Sequence, residues 1–265
     1  MYKGEFSLNL LIIAGAHRPI NCSSFFKKTL YNIFTVIVFI LLHSYNISLG
    51  IYLSLHSLND IDEFAESLCW FLAAFVVCVK MINFLLRRED IIKLINILSE
   101  NCFQIRDNEE KLMQDKCDFI ARRNTKYFFI TTYATALVMT LGGLAKEKDN
   151  ISLPLKASFP YDYNKKLAFC LTYIGQSLSV YFGAFITIAS ETFVMTMLIQ
   201  ICSQLDIIYH RLQNLSYLYK NNIKSIMFNE REEAKIIKNC IVHHNYVYMC
   251  DINAYSYSTR YFYNA

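Results

Sequence analysis

Four long runs without charge constrain this chain more than any other feature. Residues 29–59, 127–145 and 167–190 contain no Lys, Arg, Asp or Glu, and residues 67–86 are interrupted only by Lys80. A helix of about 20 apolar residues crosses a hydrocarbon core about 30 Å thick. In lipid only helices and closed barrels satisfy their own backbone, and these runs lack the two-residue alternation of barrel strands. The pattern predicts an all-α integral membrane protein with four transmembrane helices, at about 30–53, 65–86, 126–145 and 167–190. A soluble helical protein is the competing reading, and it would have to bury all four runs in 265 residues. Charged residues make up 18% of the chain, below the roughly 25% usual for soluble domains.

Lys and Arg collect on cytoplasmic flanks. The first 28 residues hold four of them, residues 54–64 none, residues 87–125 eight, residues 146–166 five and the segment after 206 seven. The best fit puts the N-terminus in the cytosol, with 54–64 and 146–166 outside. The sequon Asn150-Ile151-Ser152 falls in the second outside loop and makes Asn150 a glycosylation candidate. The stretch "LNLLIIAGA" imitates a secretory signal but is short, and a full span follows. It reads as a short helix at the inner face. The expected organisation is a cytosolic segment (1–29), a transmembrane bundle (30–190), cytosolic helices (191–250) and a polar, Tyr-rich tail (251–265).

Past the fourth span, Leu198, Ile201, Leu205, Ile208, Leu212 and Leu215 recur at alternating spacings of 3 and 4. That is a heptad seam, which predicts that the fourth helix continues into the cytosol. The seam fits two partners: another subunit, or the chain's own segments 90–105, 108–124 and 231–250. Glu191 falls just beyond the inner interface and Lys80 near the inner end of the second span, where its stem can snorkel.

Chemistry-bearing motifs are lacking. No phosphate-cradling glycine loop or nucleophile elbow occurs, so no catalytic residue and no cofactor is assigned. Cys240-x-x-His243-His244 lacks further ligands and reads as a helix surface rather than a metal site. The basic residues flank apolar runs instead of interleaving with aromatics, which leaves nucleic-acid binding unsupported. What remains is a bundle with polar groups among aromatics. The outer half of the second span offers Leu68, Trp70, Phe71 and Phe75. The third offers Thr135, Val138, Met139 and Gly142, and the fourth Tyr173, Gln176, Ser177 and Tyr181. A cleft lined in this way suits a small apolar ligand, although small and polar residues also serve plain helix packing.

Four stretches taken in order resemble the insect odorant receptors: "LNLLIIAGAHRPI", "LPLKASFPYD", "ICSQLDIIYHRLQNL" and "IIKNCIVHHNYVYM". The resemblance covers about residues 5–250, and the cytosolic N-terminus agrees with it. It implies a ligand-gated cation channel subunit of seven helices, assembled as a hetero-tetramer with a shared co-receptor in the plasma membrane of sensory dendrites. Small volatile odorants would bind among Leu68, Phe71, Phe75, Thr135, Val138, Met139, Gly142, Tyr173 and Ser177. The seam residues Leu198 to Leu215, with His243 and His244, would anchor subunits to one another. Two departures stand out. Ala16-His17-Arg18-Pro19 lacks the aromatic usual before that proline, and "CDINAYSYSTRYFYNA" stands where a fifth span is expected. The chain therefore reads as truncated, without the pore-lining helix. The alternatives are a gustatory receptor of the same superfamily and a non-conducting fragment that modulates receptor assembly.

Overall fold

The computed structural model describes residues 4–18, 24–55, 60–98, 100, 103–142, 153–161, 165–221 and 230–263. Seven helices occur among them: α1 (Glu5–Ile13), α2 (Phe25–Leu55), α3 (Ile61–Leu86), α4 (Arg88–Ile97), α5 (Asn108–Gly142), α6 (Lys166–Asn221) and α7 (Glu230–Tyr263). No described residue is in a strand. Three of the helices, α2, α3 and α6, are long and apolar enough to cross a membrane. The predicted third span falls on the last part of α5, where four threonines and two tyrosines dilute the apolar residues. Residues 143–145 of that span, and the sequon at Asn150, lie outside the described residues.

Proline placement permits these lengths. Pro154 and Pro160 both lie in the non-helical segment 153–161, and no proline interrupts α6 over its 56 residues. Residues 251–263, read from sequence as a separate tail, continue α7.

The chain divides into two compact units. The first, called here the cavity unit, comprises Phe6–Leu86 and Thr125–Glu191. In it α2 packs against α3. Ala14, Val38, Leu42, Cys78, Met81 and Ile186 form one core cluster and draw in the turn after α1. A second cluster joins Tyr45 and Leu49 to Leu155 and Ala157 of the non-helical segment. On α2 the opposite face is also apolar: Ile33, Ile37, Ile40, Ile47 and Ile51 are exposed at helical spacing. Helices apolar on both faces suit lipid rather than water. Lys80 and Glu191, considered separately from sequence, form an ion pair at 2.6 Å between α3 and α6.

The turn after α1 is held by α2. Tyr31 donates its hydroxyl to the carbonyls of Ile12 and His17 at 2.9 and 3.0 Å, and Thr35 donates to that of Gly15 at 2.9 Å. Gly15 has φ +74°, and a Cβ there would meet the Phe34 ring at 3.3 Å and the Thr35 backbone at 3.4 Å. The left-handed backbone therefore calls for glycine, and an added Cβ would also crowd the Phe34 ring.

The second unit, the polar unit, comprises Met1–Glu5, Arg87–Asn124 and Thr192–Ala265. Here α4 packs on α7. Ile91, Leu94 and Leu98 are buried on one side of the contact, and Cys240, Val247 and Cys250 are buried on α7.

Replacing Gly15 by Ala is expected to destabilise the cavity unit by about 1–2 kcal/mol from the left-handed backbone alone. Thermal unfolding of the detergent-solubilised chain checks this; an unchanged melting temperature would show that the turn does not support the fold.

Candidate functional site: an apolar cavity and a buried polar network

The cavity unit contains a cleft-like cavity of about 450 Å³ bordered by α2, α3, α5 and α6. From α2 come Leu42, Tyr45 and Leu49; from α3 Trp70, Ala73, Ala74 and Val77. Thr131, Thr132, Thr135, Ala136 and Met139 face it from α5, and Ser179, Val180, Gly183, Ala184 and Thr187 from α6. The small residues Ala73, Ala74, Gly183 and Ala184 account for much of the empty space, since no long side chain reaches across from α3 or α6 at those positions. Thr131 and Thr135 turn their hydroxyls back onto carbonyls of their own helix at 3.0 and 2.9 Å, which leaves mostly carbon toward the cavity.

Leu155 closes one side from the segment 153–161. That strap is tied down in pairs. The Gln176 amide accepts from the Leu155 N–H at 3.4 Å and donates to the Leu155 carbonyl at 3.2 Å. The Ser158 N–H donates to the Ser48 carbonyl at 3.2 Å, and the Ser48 hydroxyl donates back to the Ser158 carbonyl. Glu63 accepts from Lys156 at 3.0 Å and from the Tyr52 hydroxyl at 2.7 Å, joining the strap to α2 and α3. A smaller cavity of about 340 Å³ adjoins; it shares Leu49, Trp70, Met139 and Leu155 and is also lined by Val138 and Gly142.

The sequence-predicted ligand residues are distributed unevenly over this geometry. Thr135 and Met139 line the larger cavity, and Val138, Met139 and Gly142 the smaller one. Leu68, Phe71, Phe75, Tyr173 and Ser177 line neither. Phe71 packs against the backbone of Gly50, where an added Cβ would come within 3.0 Å of its ring, and stacks on Phe75. Tyr173 donates its hydroxyl to the Thr140 carbonyl. The Ser177 hydroxyl is buried without a hydrogen-bond partner among the described residues. Sequence reasoning missed the α2 wall entirely. A signal was present on α3, where Trp70, Ala73, Ala74 and Val77 follow helical spacing with two small residues at the centre.

The polar unit is built differently. On α6 the buried face carries Thr192, Thr196, Gln200, Ser203, Gln204 and Arg211. Leu198, Leu205 and Leu212 of the heptad seam are 49%, 43% and 43% exposed, while Ile201 and Ile208 are buried and Leu215 is half-buried. From Gln200 to Arg211 the polar face is tolerated because its groups pair with one another and with α5 and α7. Arg211 forks onto Glu110, with Nε to Oε1 at 2.6 Å and Nη2 to Oε2 at 2.8 Å. Its Nη1 lies 3.3 Å from Nδ1 of His243, and His243 Nε2 lies 3.1 Å from the Gln204 carbonyl oxygen. A guanidinium only donates, so Nδ1 accepts and Nε2 carries the proton given to Gln204. Gln204 then donates to Gln114 at 2.8 Å, and Gln114 to Gln200 at 2.6 Å and to Asp118 at 2.7 Å. With both ring nitrogens committed, His243 offers no lone pair to a metal; His244 next to it is exposed.

Asp107 caps α5 by accepting from the Glu110 N–H at 2.7 Å, and Glu110 reaches back to the Arg106 N–H at 2.8 Å. This Asp-x-x-Glu spacing is a capping signature that was readable in the sequence. Burial pushes the Glu110 carboxyl up, but the Arg211 hydrogen bond, the Arg106 N–H and the Arg211 charge outweigh it and hold it below the usual range. His243 is pushed down to about 4, first by burial and then by the charges of Arg211 and Arg106.

Taken together, the long apolar helices α2, α3 and α6 define a multi-pass membrane protein, and with α5 they border an apolar cavity. A model of the 7tm odorant receptor family matches residues 60–254. The chain belongs to that family. Among solved structures it is similar to the insect olfactory receptor OR5 from Machilis hrabei, with a TM-score of 0.72 at 14% identity over 97% of this chain and 65% of that one. The same receptor in complex with eugenol gives a TM-score of 0.70 at 16% identity, over 98% of this chain and 65% of that one. This chain thus spans 65% of the length of the receptor it resembles in fold. No curated protein matches it.

His243 makes the polar unit sensitive to pH. Unfolded, the ring takes up a proton below about 6.5; folded, it does so only near 4. Stability from this residue is therefore full above the first value and is lost as pH falls toward the second, by about 3 kcal/mol at most. Melting temperatures measured from pH 7.5 down to about 4.5 should fall in the wild type and fall less in His243→Gln. Equal slopes in the two proteins would refute the assignment.

Proposed function

We propose that this chain is an odorant receptor subunit that captures small volatile molecules in the cavity between α2, α3, α5 and α6. With a shared co-receptor subunit in a hetero-tetramer, it gates cation flux across the plasma membrane of sensory dendrites. The observation that carries the reading is the cavity itself. Its volume of about 450 Å³ falls in the range of small-molecule sites, and its walls are mostly carbon with a few hydroxyls. OR5, similar in fold, has been solved with eugenol, and a volatile of that size is smaller than this cavity. The strap at 153–161 supports the same reading, because it adds the apolar side chain of Leu155 to the cavity wall.

On this proposal the end of α5, from about residue 126, is the third of four spans, the N-terminus is cytosolic and Asn150 is an external glycosylation site. The exposed stripe Leu198, Leu205 and Leu212 meets neighbouring subunits in the anchor. Ile201, Ile208, Leu215 and His243 support that helix from within, and His244 lies beside it at the surface.

Cells that express the gene's full-length product together with the co-receptor should show a volatile-evoked cation current. A surface-expressed complex that stays silent across a broad volatile panel would count decisively against the reading. Met139→Ala enlarges both adjoining cavities and should shift the rank order of active volatiles while surface expression is retained. Leu205→Asp places a charge in the proposed subunit contact and should reduce co-purification with the co-receptor at least severalfold (about 1–3 kcal/mol). Unchanged co-purification would remove that stripe from the interface.

A further inference from the structure

Tyr45 stands in the wall between two cavities. On one side lies the cavity described above. On the other lies a second space of about 570 Å³ between α2, α6 and the strap residues Ser158–Tyr161. Tyr45 and Ser179 are the residues that line both. Tyr45 is only 7% exposed, and its hydroxyl makes no hydrogen bond among the described residues.

Neighbouring hydroxyls are in a different position. Ser179 donates to the Gly175 carbonyl at 2.9 Å, Ser48 pairs with Ser158, and Tyr161 pairs with Thr172 at 2.7 Å. A buried hydroxyl left unpaired is unfavourable and uncommon in native proteins. Phenylalanine would fill the same space without that cost, so the packing alone does not explain a tyrosine here.

We propose that Tyr45 is a specificity-determining residue of the ligand cavity. Its hydroxyl donates a hydrogen bond to the oxygen of a small, otherwise apolar ligand. The site therefore prefers volatiles that carry a carbonyl, ether or alcohol oxygen over hydrocarbons of the same shape. Because the hydroxyl sits within the wall, a small turn of the ring as the ligand arrives brings it to the acceptor. The inference rests on the reading of the cavity as a ligand site.

Trp70 provides the readout. It is the single tryptophan of the chain and lies on the lining of the same cavity. The purified full chain in lipid nanodiscs is titrated with methyl pentyl ketone and with its isostere in which a methylene group replaces the carbonyl oxygen. Partition into empty nanodiscs is measured separately and subtracted. The ketone is expected to bind about tenfold more tightly, in line with one net hydrogen bond plus the relief of an unpaired donor. In Tyr45→Phe the ketone affinity is expected to fall to that of the alkene.

Equal affinities in the wild type, or a preference that survives Tyr45→Phe, overturns the role of Tyr45 and leaves the cavity as a ligand site. If neither compound changes Trp70 emission and equilibrium dialysis detects no binding, the ligand reading of the cavity fails, and the proposal fails with it. Thermal unfolding without ligand is an independent check. Tyr45→Phe should melt no lower than the wild type, since it removes an unpaired buried group. A lower melting temperature would show that the hydroxyl already has a partner in the empty protein and would overturn the proposal.

Discussion

Lipid offers the backbone no hydrogen-bond partner, and much of this structure follows from that constraint. It makes the apolar runs helical, because a helix satisfies its peptide groups internally. The same need for paired peptide groups applies to the non-helical strap packed into the cavity unit. The strap at 153–161 buries Leu155 and Ala157, and its peptide groups at Leu155 and Ser158 are met by the Gln176 amide and by Ser48. Each contact is reciprocal, so one side chain or peptide satisfies a donor and an acceptor together. Without these pairs, a buried irregular segment would carry unmet polar groups. The strap in turn supplies Leu155 to the cavity wall, which links a backbone requirement to the formation of the site.

The polar unit shows the same demand met by side chains. A buried carboxylate and guanidinium are stable together only with good geometry and with their remaining valences filled. Glu110 and Arg211 meet both conditions: the fork is bidentate, the second guanidinium edge reaches the Gln104 carbonyl and His243, and Arg106 supplies a further N–H to the carboxylate. From His243 onward the donors and acceptors alternate through three glutamines to Asp118. Such a network tolerates few alternatives, because reversing one amide breaks the pairing of the next. It therefore fixes the facing sides of α5, α6 and α7 more narrowly than apolar packing would.

Polar pairing also explains how the heptad seam divides. Apolar spacing on α6 is real, but burial within the chain goes to the neighbouring face of Gln200, Gln204 and Arg211. Those residues are legible as polar in the sequence, and polarity alone points to solvent rather than to burial. Their partners on α5 and α7 lie about 30 to about 100 positions away in sequence, beyond the reach of any periodicity argument. The Asp107-x-x-Glu110 cap was the nearest local clue that Glu110 is held in place. The cavity followed the same rule. Thr135 and Met139 were readable from depth and residue type, but Phe71 turned to pack on Gly50, and Tyr45 of α2 took a place in the wall.

By itself, the sequence determined that this chain is helical, that its long apolar runs belong in lipid and that its fourth run continues as one helix past Glu191. It also carried the family resemblance. Length, missing charge and missing proline decide those features locally, within one segment at a time. Only the tertiary structure decided which face of each helix looks inward. In a helix apolar all round, hydrophobicity does not distinguish a lipid-facing side from a core-facing one. The choice falls to shape and hydrogen bonding: small residues at Ala73, Ala74 and Gly183 open the cavity, Gln176 and Ser48 hold its strap, and the glutamine network turns the polar side of α6 inward.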